Sequence, residues 1–137
     1  MHKSALRLML VAASTLLAAC GQSGGSHRSM DTMHGSRGVE KNRPVVRGAP
    51  EFVIIGENFG FTPSEIRVNA GSSVTLALRA ADIEHDITVK GLGHIVHAAG
   101  GKTARGGLKI ITPGKYLFYC SVPGHRAEGM TGTIFVS

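Results

Sequence analysis

The chain has 137 residues, which leaves room for one ordinary domain and excludes a large multidomain enzyme. Hydrophobic residues make up 42% and charged residues 18%, which excludes disorder over the full length. The net charge of +6 is concentrated at the N-terminus: residues 1–49 hold seven Lys or Arg against two acids, a net of +5, whereas residues 50–137 hold eight against seven, a net of +1. A nucleic-acid-binding surface on the C-terminal part is therefore not expected.

The first 19 residues have the features of a signal peptide. Lys3 and Arg7 precede an apolar run over residues 8–19, and these twelve residues are too few to span a bilayer, which needs about 20. Residues 17–21 (LAACG) resemble a bacterial lipobox, in which the cysteine becomes the lipidated first residue of the mature protein. We therefore predict a lipid anchor on Cys20 and an exported protein on the periplasmic or cell-surface side of a bacterial membrane. The alternative is an ordinary signal peptide followed by an incidental cysteine.

Residues 20–49 form a predicted flexible linker. They show almost no apolar periodicity and begin with a run rich in glycine and serine, a composition typical of a tether with a span of about 30 Å. His27, Met30, Met33 and His34 carry imidazole and thioether groups that suit transient copper binding. A solvated linker is the simpler interpretation, because nothing in the pattern orders these side chains around an ion.

From residue 50 onward the apolar residues follow the period of β-strands. Residues 65–69 and 74–78 alternate polar and apolar side chains, which is typical of half-buried strands, and turn sequences such as Pro113-Gly114 separate the segments. The other predicted strands are residues 51–56, 83–90, 102–111, 115–121 and 131–137. Seven or eight short strands without a helical crossover predict an all-β domain over residues 50–137, with two antiparallel sheets packed as a β-sandwich.

A metal-binding pattern lies near the C-terminus. Cys120, His125 and Met130 provide a thiol, an imidazole and a thioether, with four residues between successive members. His85 shares strand parity with the apolar positions of its own strand and is therefore predicted to point inward. Each residue alone is more often a packing residue, but together they form the two-histidine, cysteine and methionine set of copper electron-transfer sites. If Cys20 carries lipid, Cys120 has no disulfide partner within the chain.

The segments around these residues resemble the cupredoxin family of small type 1, or blue, copper proteins. They are residues 118–125 (FYCSVPGH), residues 61–71 (FTPSEIRVNAG) and His85-Asp86. The resemblance covers residues 51–137 and implies a Greek-key β-sandwich. The ligand loop is similar in length to those of rusticyanin and sulfocyanin and longer than that of plastocyanin. The resemblance also implies that His85, Cys120 and His125 hold one copper ion equatorially, with Met130 as a weak axial ligand.

The surroundings of the ligands follow from the same resemblance. In the family, the loop histidine is partly exposed in an apolar patch where partners dock, so His125 is the expected route for electrons. Asp86, Pro123 and Phe118 are expected to surround the ligands. Asp86 would tie the ligand loops together, although the family more often has Asn or Ser at that position. Phe118 and Val122 would keep water from the metal.

Other metal sites fit the sequence less well. A dinuclear copper centre would need a second cysteine four residues after Cys120, where the chain has Gly124, so a single copper is expected. Zinc accepts Cys and His but gains little from a thioether. His94 and His97, three apart in a glycine-rich stretch, suggest a second, exchangeable site. We favour exposed loop histidines for this pair, because no carboxylate or thiol accompanies them.

Two functions remain from the sequence alone. The first is a monomeric electron carrier that exchanges single electrons with protein redox partners such as a cytochrome, an oxidase or a reductase. The second is a periplasmic copper-binding protein for sequestration or delivery, which the methionines and histidines of the linker favour. An enzyme is not expected, since the sequence has no serine elbow, paired-carboxylate pattern or phosphate-binding loop.

Overall fold

The computed structural model describes residues 40–137, which fold into nine β-strands without a helix. The strands are β1 (Glu51–Glu57), β2 (Gly60–Thr62), β3 (Glu65–Val68), β4 (Ser73–Ala80), β5 (His85–Val89), β6 (Gly93–Ala98), β7 (Thr103–Lys109), β8 (Gly114–Tyr119) and β9 (Thr131–Val136). One sheet has the order β2-β1-β4-β7 and the other β3-β9-β8-β5-β6. The predicted all-β sandwich is confirmed.

The strand pairing differs from the prediction in two respects. Strands β2 and β6 were not predicted, because β2 has only three residues and the glycines that precede β6 indicated a loop. The sheets are also mixed rather than antiparallel, since β1 pairs with β4 and β3 pairs with β9 in parallel. Parallel strands of one sheet need a connection that crosses over, and in a sandwich a strand of the other sheet can provide it. Here β3, which lies in the other sheet, is part of the chain between β1 and β4, so no crossover helix is needed.

A single apolar core lies between the two sheets. Ile54 and Leu76 from one sheet and Ile87 and Phe118 from the other are completely buried. Burying one such side chain stabilises the fold by roughly 1.5–3 kcal/mol. Strands β5 and β8 run antiparallel in adjacent positions, so the start of β5 and the end of β8 lie at the same end of the sandwich. This arrangement brings together the two ends that carry His85 and Cys120.

The end of the predicted linker lies against the domain. Within this N-terminal segment, residues 40–49, the Arg43 N–H donates to the Ile95 carbonyl at 2.9 Å, and the Gly107 N–H donates to the Arg43 carbonyl at 3.1 Å. A Cβ at Gly107 would lie 2.1 Å from the Pro44 carbonyl oxygen, so this close approach requires glycine. The prediction that the linker stays flexible up to residue 49 is therefore wrong for these residues, because they complete the hydrogen bonding of the exposed edges of β6 and β7.

The predicted signal peptide, the lipidation site at Cys20, and the linker residues His27, Met30, Met33 and His34 lie outside the described residues. Within residues 40–137, no segment forms a helix that is long and apolar enough to cross a membrane.

Candidate metal centre

Three of the four predicted ligands converge at one end of the sandwich. His85 is the first residue of β5, Cys120 directly follows β8, and His125 lies in the loop that leads to β9. Their ligand atoms all lie within 4.8 Å of one another, and no other group of three His, Cys, Asp or Glu residues within residues 40–137 meets this criterion. His125 Nδ1 is 3.2 Å from His85 Nδ1 and 3.4 Å from Cys120 Sγ. Two ligands about 2.0 Å from a shared ion lie about 3.3 Å apart at a tetrahedral angle, so these spacings suit one metal ion.

The ligand loop is closed by its own backbone. The His125 N–H donates to the Val122 carbonyl, the Met130 N–H to the His125 carbonyl, and the Cys120 N–H to the Met130 carbonyl, each at 3.1 Å. Gly124, which follows Pro123 in this loop, has a φ of 89° in the left-handed region that favours glycine. The backbone hydrogen bonds therefore hold Cys120 and His125 in place before any metal binds.

His85 is oriented by a carboxylate that the sequence analysis missed. Its Nε2 lies 2.7 Å from Asp82 Oδ1, and because a carboxylate only accepts, Nε2 carries the proton and Nδ1 is left free to bind a metal. Asp82 also accepts the N–H groups of Asn58 at 2.8 Å and Ile83 at 2.7 Å. These bonds, the one from Asn58 first, hold the pKa of the Asp82 carboxyl well below its usual range. Asp82 is thus an anion that fixes the tautomer of His85.

The sulfur of Cys120 is buried and accepts hydrogen bonds from the backbone. The Asp86 N–H donates to Sγ at 3.4 Å, and the backbone of Val122 also bonds it. Burial raises the pKa of the thiol from its ordinary value of 9.0, and this effect exceeds the lowering by the two N–H donors. The thiol is therefore neutral near pH 7 in the metal-free protein, and metal binding must displace its proton.

Asp86 joins β5 to the ligand loop. One carboxylate oxygen, Oδ1, accepts the Ser121 N–H at 2.7 Å and the other, Oδ2, accepts the Ser121 hydroxyl, while Thr88 donates to Oδ1 at 3.4 Å. The residue is buried, and its bonds reach the neighbour of Cys120 in the chain. The contact expected of Asp86 is thus present, on the face of β5 that points away from His85.

The other predicted neighbours lie at different distances from the ligands. Phe118 is completely buried in the core, where its ring centroid is 5.1 Å from that of Phe61. Pro123 and Val122 line two surface depressions beside the ligand loop.

Met130 and His85 meet across Gly56 of β1. Met130 is completely buried. A Cβ added at Gly56 would lie 2.9 Å from Cδ2 of His85 and 3.2 Å from the methyl carbon of Met130. Gly56 was not singled out in the sequence, yet a larger residue there would displace one of these two side chains. The assignment of Met130 as the axial ligand remains a prediction.

Phe59 covers His125. Asn58 and Phe59 form the two-residue turn between β1 and β2, and both have positive φ angles, 48° and 56°. The Phe59 ring packs edge-on against His125 with centroids 5.1 Å apart. His125 is only 6% exposed, whereas Phe59 is 40% exposed, so the expectation that His125 itself is partly exposed is wrong. A phenylalanine in this conformation costs about 1–2 kcal/mol, and such strain often marks a functional position.

His94 and His97 are not exposed loop residues, contrary to the sequence interpretation. Both lie in β6, with side chains only 8% and 17% exposed. They are accompanied by carboxylates, since Glu40 lies 3.8 Å from His94 and Glu84 lies 3.2 Å from His97. The sequence pattern missed this because β6 follows a glycine-rich turn and is irregular in its pairing with β5.

Comparisons with known proteins agree with the fold. The family model described as "Cupredoxin-like domain" matches residues 10–136. Auracyanin B is 16% identical with a TM-score of 0.61, covering 70% of this chain and 96% of its own. Auracyanin A, a "blue" copper protein from the green thermophilic photosynthetic bacterium Chloroflexus aurantiacus, is 23% identical with a TM-score of 0.57, covering 66% and 100%.

A third similar structure is the metal-binding domain of the Cu(I)-exporting P-type ATPase CopA of Streptococcus pneumoniae D39. It is 15% identical with a TM-score of 0.52, covering 70% of this chain and 93% of its own. No curated protein sequence matches the chain significantly. At these identities the structural matches establish the fold alone.

The residues present fit a type 1 copper ion. One thiol and two imidazole nitrogens, all buried and within bonding reach of one ion, form the trigonal donor set of such sites. The buried Met130 side chain lies next to the His85 ring across Gly56. The donors of His85 and Cys120 are also held by Asp82 and by backbone N–H groups, as ligands of a tightly bound metal generally are.

Proposed function

The chain belongs to the cupredoxin-like domain family, and on that premise we propose that it carries single electrons between protein redox partners. The observation that carries this proposal is the buried cluster of His85, Cys120 and His125 at one end of a rigid β-sandwich. When bound there, copper supplies a one-electron couple between Cu(I) and Cu(II). The proposal assigns the chain no catalysed reaction.

The protein's own contribution is to hold its donors in one arrangement. Asp82 keeps the proton of His85 on Nε2, so that Nδ1 faces the other donors. The backbone bonds of the ligand loop and the bonds from Asp86 to Ser121 restrain the chain on both sides of Cys120. A donor set fixed in this way needs little rearrangement when an electron arrives or leaves, and small rearrangement favours fast transfer.

The surroundings also keep water away from the donors. His85, Cys120 and Met130 are completely buried, and the N–H groups of Asp86 and Val122 point at the sulfur. Exclusion of water and hydrogen bonds to the sulfur are two of the factors that set the redox potential of such a site.

Electrons would pass through the end of the molecule that carries Phe59. Its ring contacts the buried imidazole of His125 and is itself exposed. Ile83 is also exposed, and Asp82 links it to the turn that carries Phe59, because the N–H groups of Asn58 and Ile83 both donate to the Asp82 carboxylate. We therefore propose that partners dock against Phe59 and Ile83, which present apolar surface at the end of the molecule where the Phe59 ring packs against His125.

An electron self-exchange measurement tests this docking surface. Ile83→Asp places a charge on both copies at the contact and should slow self-exchange by about tenfold or more. Ile111→Asp is the matched control: Ile111 is also exposed, but it precedes β8 whereas Cys120 follows it, at the other end of the strand. Equal slowing by the two variants, or none, would contradict a contact at this end.

We further propose that lipid on Cys20 anchors the protein outside the cytoplasm, with the linker allowing the domain to reach its partners. The lipobox-like residues 17–21 support this. Radiolabelled palmitate should enter the wild-type protein and the Cys120→Ser variant but not Cys20→Ser. Label retained by Cys20→Ser would reject the anchor, and the two cysteines serve as controls for each other.

Copper delivery is the second candidate function. The likeness to a metal-binding domain of a Cu(I)-exporting ATPase shows that this fold also occurs in a copper transporter. Deleting residues 22–39 removes His27, Met30, Met33 and His34 but keeps the part of the linker that contacts the domain. If the protein is an electron carrier, the deletion leaves the rate of copper loss to a chelating acceptor unchanged. A markedly slower transfer would favour delivery instead.

A further inference from the structure

A cavity with several polar side chains in its lining is on the face of β5 opposite to His85. Its volume is about 540 Å³, and we call it the outer cavity. Its lining includes His94 and His97 of β6, together with the carboxylates of Glu40, Glu84 and Asp86. Asp86 already binds Ser121, so the groups that remain for another ligand are two imidazoles and two glutamates.

A β-bulge places both histidines on this face. In a regular strand, residues three apart point to opposite faces. Here the pairing between β5 and β6 shifts after Ile87, so that His97 is opposite Asp86 and His94 is opposite Thr88. Because Asp86 and Thr88 are two residues apart on one face of β5, the two histidines share that face as well.

His94 has an unsatisfied nitrogen. Its side chain is 8% exposed, and among residues 40–137 its Nε2 is the one buried side-chain nitrogen or oxygen without a hydrogen-bond partner. Its Nδ1 lies 3.8 Å from Glu40 Oε2. A buried polar atom of this kind is unusual in a folded protein unless a water molecule or a ligand satisfies it.

The backbone under the histidines is fixed by the N-terminal segment. Asn42 accepts the His97 N–H at 2.8 Å through its side-chain oxygen. The Arg43 guanidinium donates to the His94 carbonyl at 2.8 Å and also to the Leu92 carbonyl. These bonds hold β6 at both histidines, so the imidazoles sit on a rigid support, as a metal site requires.

We propose that the outer cavity is a second metal site, which binds a divalent ion that prefers nitrogen and oxygen ligands, Cu²⁺ or Zn²⁺, through His94, His97 and Glu84. His97 Nε2 and Glu84 Oε2 are 3.2 Å apart, close to the roughly 3.3 Å expected for two ligands of one tetrahedral ion. The ligand atoms of all three residues do not lie within 4.8 Å of one another, so ion binding requires the exposed Glu84 side chain and the His97 ring to turn toward His94. Imidazole and carboxylate suit both ions, whereas the thiol and thioether of the first site suit copper in either oxidation state. This proposal does not depend on the electron-carrier function.

The test uses the full chain with one copper already in the first site. Zn²⁺ and Cu²⁺ are added to separate samples, and bound metal is measured by elemental analysis after dialysis. The variant His94→Gln/His97→Gln removes the proposed ligands, and His27→Gln/His34→Gln removes two linker histidines as the matched control. The visible absorption of the first site reports that each variant is folded and that the first copper stays in place.

We expect the wild-type protein and the linker control to bind one further ion. The His94→Gln/His97→Gln variant should bind it at least about tenfold more weakly. Removing a residue that only hydrogen-bonds to a metal ligand already weakens metal binding by about that much, and this variant removes the proposed ligands themselves. In the Cu²⁺ samples, the further ion should add a second paramagnetic resonance signal without adding thiolate colour. The ion that binds more tightly identifies the metal that the site prefers.

Two results would overturn the proposal: no further ion bound by the wild-type protein, or a further ion retained by His94→Gln/His97→Gln. If that variant fails to fold, Glu84→Gln replaces it, because the Glu84 side chain is 58% exposed and its loss leaves the core intact. Glu84→Gln should weaken the further ion by about tenfold, and unchanged binding would equally reject the site.

Discussion

The two faces of strand β5 differ in chemistry, although the strand has only five residues and successive residues point to opposite faces. On one face, His85 meets Cys120 and His125 in a buried group of soft and borderline donors. On the other face, Asp86 binds Ser121 and borders the outer cavity together with His94 and His97. The same backbone segment thus separates a buried site that contains a thiol from a cavity whose donor groups are all nitrogen and oxygen.

This difference shows how little chain is needed to isolate a metal centre. Successive side chains of a strand point to opposite faces, so His85 and Asp86 are neighbours in sequence but belong to different surroundings. The backbone of β5 still links the faces, because the N–H of Asp86 donates to the Cys120 sulfur while its carboxylate binds Ser121. Substitutions on the inner face should therefore change the copper centre far more than those on the outer face.

The largest effect is expected for Cys120→Ser. A hydroxyl cannot replace the thiolate as a soft ligand, so the variant should lose all thiolate-to-copper charge-transfer colour. Absorption spectra of copper-loaded wild-type and variant protein measure this, with Ser121→Ala on the outer side as the control. An intense visible band that survives in Cys120→Ser would mean that another group binds the copper.

Gly56→Ala should disturb the inner face next most strongly. The added Cβ would lie 2.9 Å from the His85 ring and 3.2 Å from the Met130 methyl, so one side chain must move, at a cost of about 1–3 kcal/mol in the free energy of unfolding. Gly60→Ala, in the same hairpin, meets only the Glu57 carbonyl at 3.6 Å and should have little effect. Thermal unfolding and the visible spectrum report both changes; equal destabilisation by the two variants would argue against crowding at the site.

Asp82→Asn and Glu84→Gln compare the two faces directly. Each removes one negative charge beside a histidine, His85 on the inner side and His97 on the outer side. Asp82→Asn should weaken copper binding to the first site by about 10- to 100-fold, because the ligand's orienting partner changes. Glu84→Gln should leave that affinity unchanged. Competition with a copper chelator gives both values, and a reversed order would mean that Asp82 does not orient His85.

A smaller effect is expected from a change of one pH unit. Since burial raises the pKa of the Cys120 thiol above 9.0, copper binding near neutral pH must release the thiol proton. Copper affinity should therefore rise by about tenfold per pH unit between pH 6 and 8 through this group, once the pH dependence of the Cys120→Ser variant is subtracted. Calorimetry in buffers of different ionisation enthalpy counts the proton released. The absence of a difference between wild type and Cys120→Ser would show that the thiol is already ionised.

The parts of the site that could be predicted from the sequence are the local ones. Cys120, His125 and Met130 lie within one loop, so their spacing alone indicated a shared metal, and strand parity was enough to turn His85 inward. Asp82 and Phe59 were missed because their roles depend on how the turn between β1 and β2 packs beside β5. The position of His94 and His97 was missed because a bulge reverses the simple parity rule.

The fold, too, could be predicted from the sequence only where it depends on local patterns. Alternating residues indicated most strands, but parallel pairing of β1 with β4 and of β3 with β9 depends on contacts between distant segments. Composition suggested that residues 40–49 were flexible, since a polar, glycine-containing segment carries no sign of the strand edges it completes.

The proposed electron transfer requires one redox-active copper ion held by Cys120, His85 and His125. The visible and electron paramagnetic resonance spectra of the copper-loaded protein, recorded before and after addition of one electron equivalent, test it most directly. We expect an intense thiolate-to-copper absorption and a Cu(II) signal that disappear together on reduction and return together on reoxidation. A Cu(II) protein without that absorption, or one that releases its copper when reduced, would contradict it.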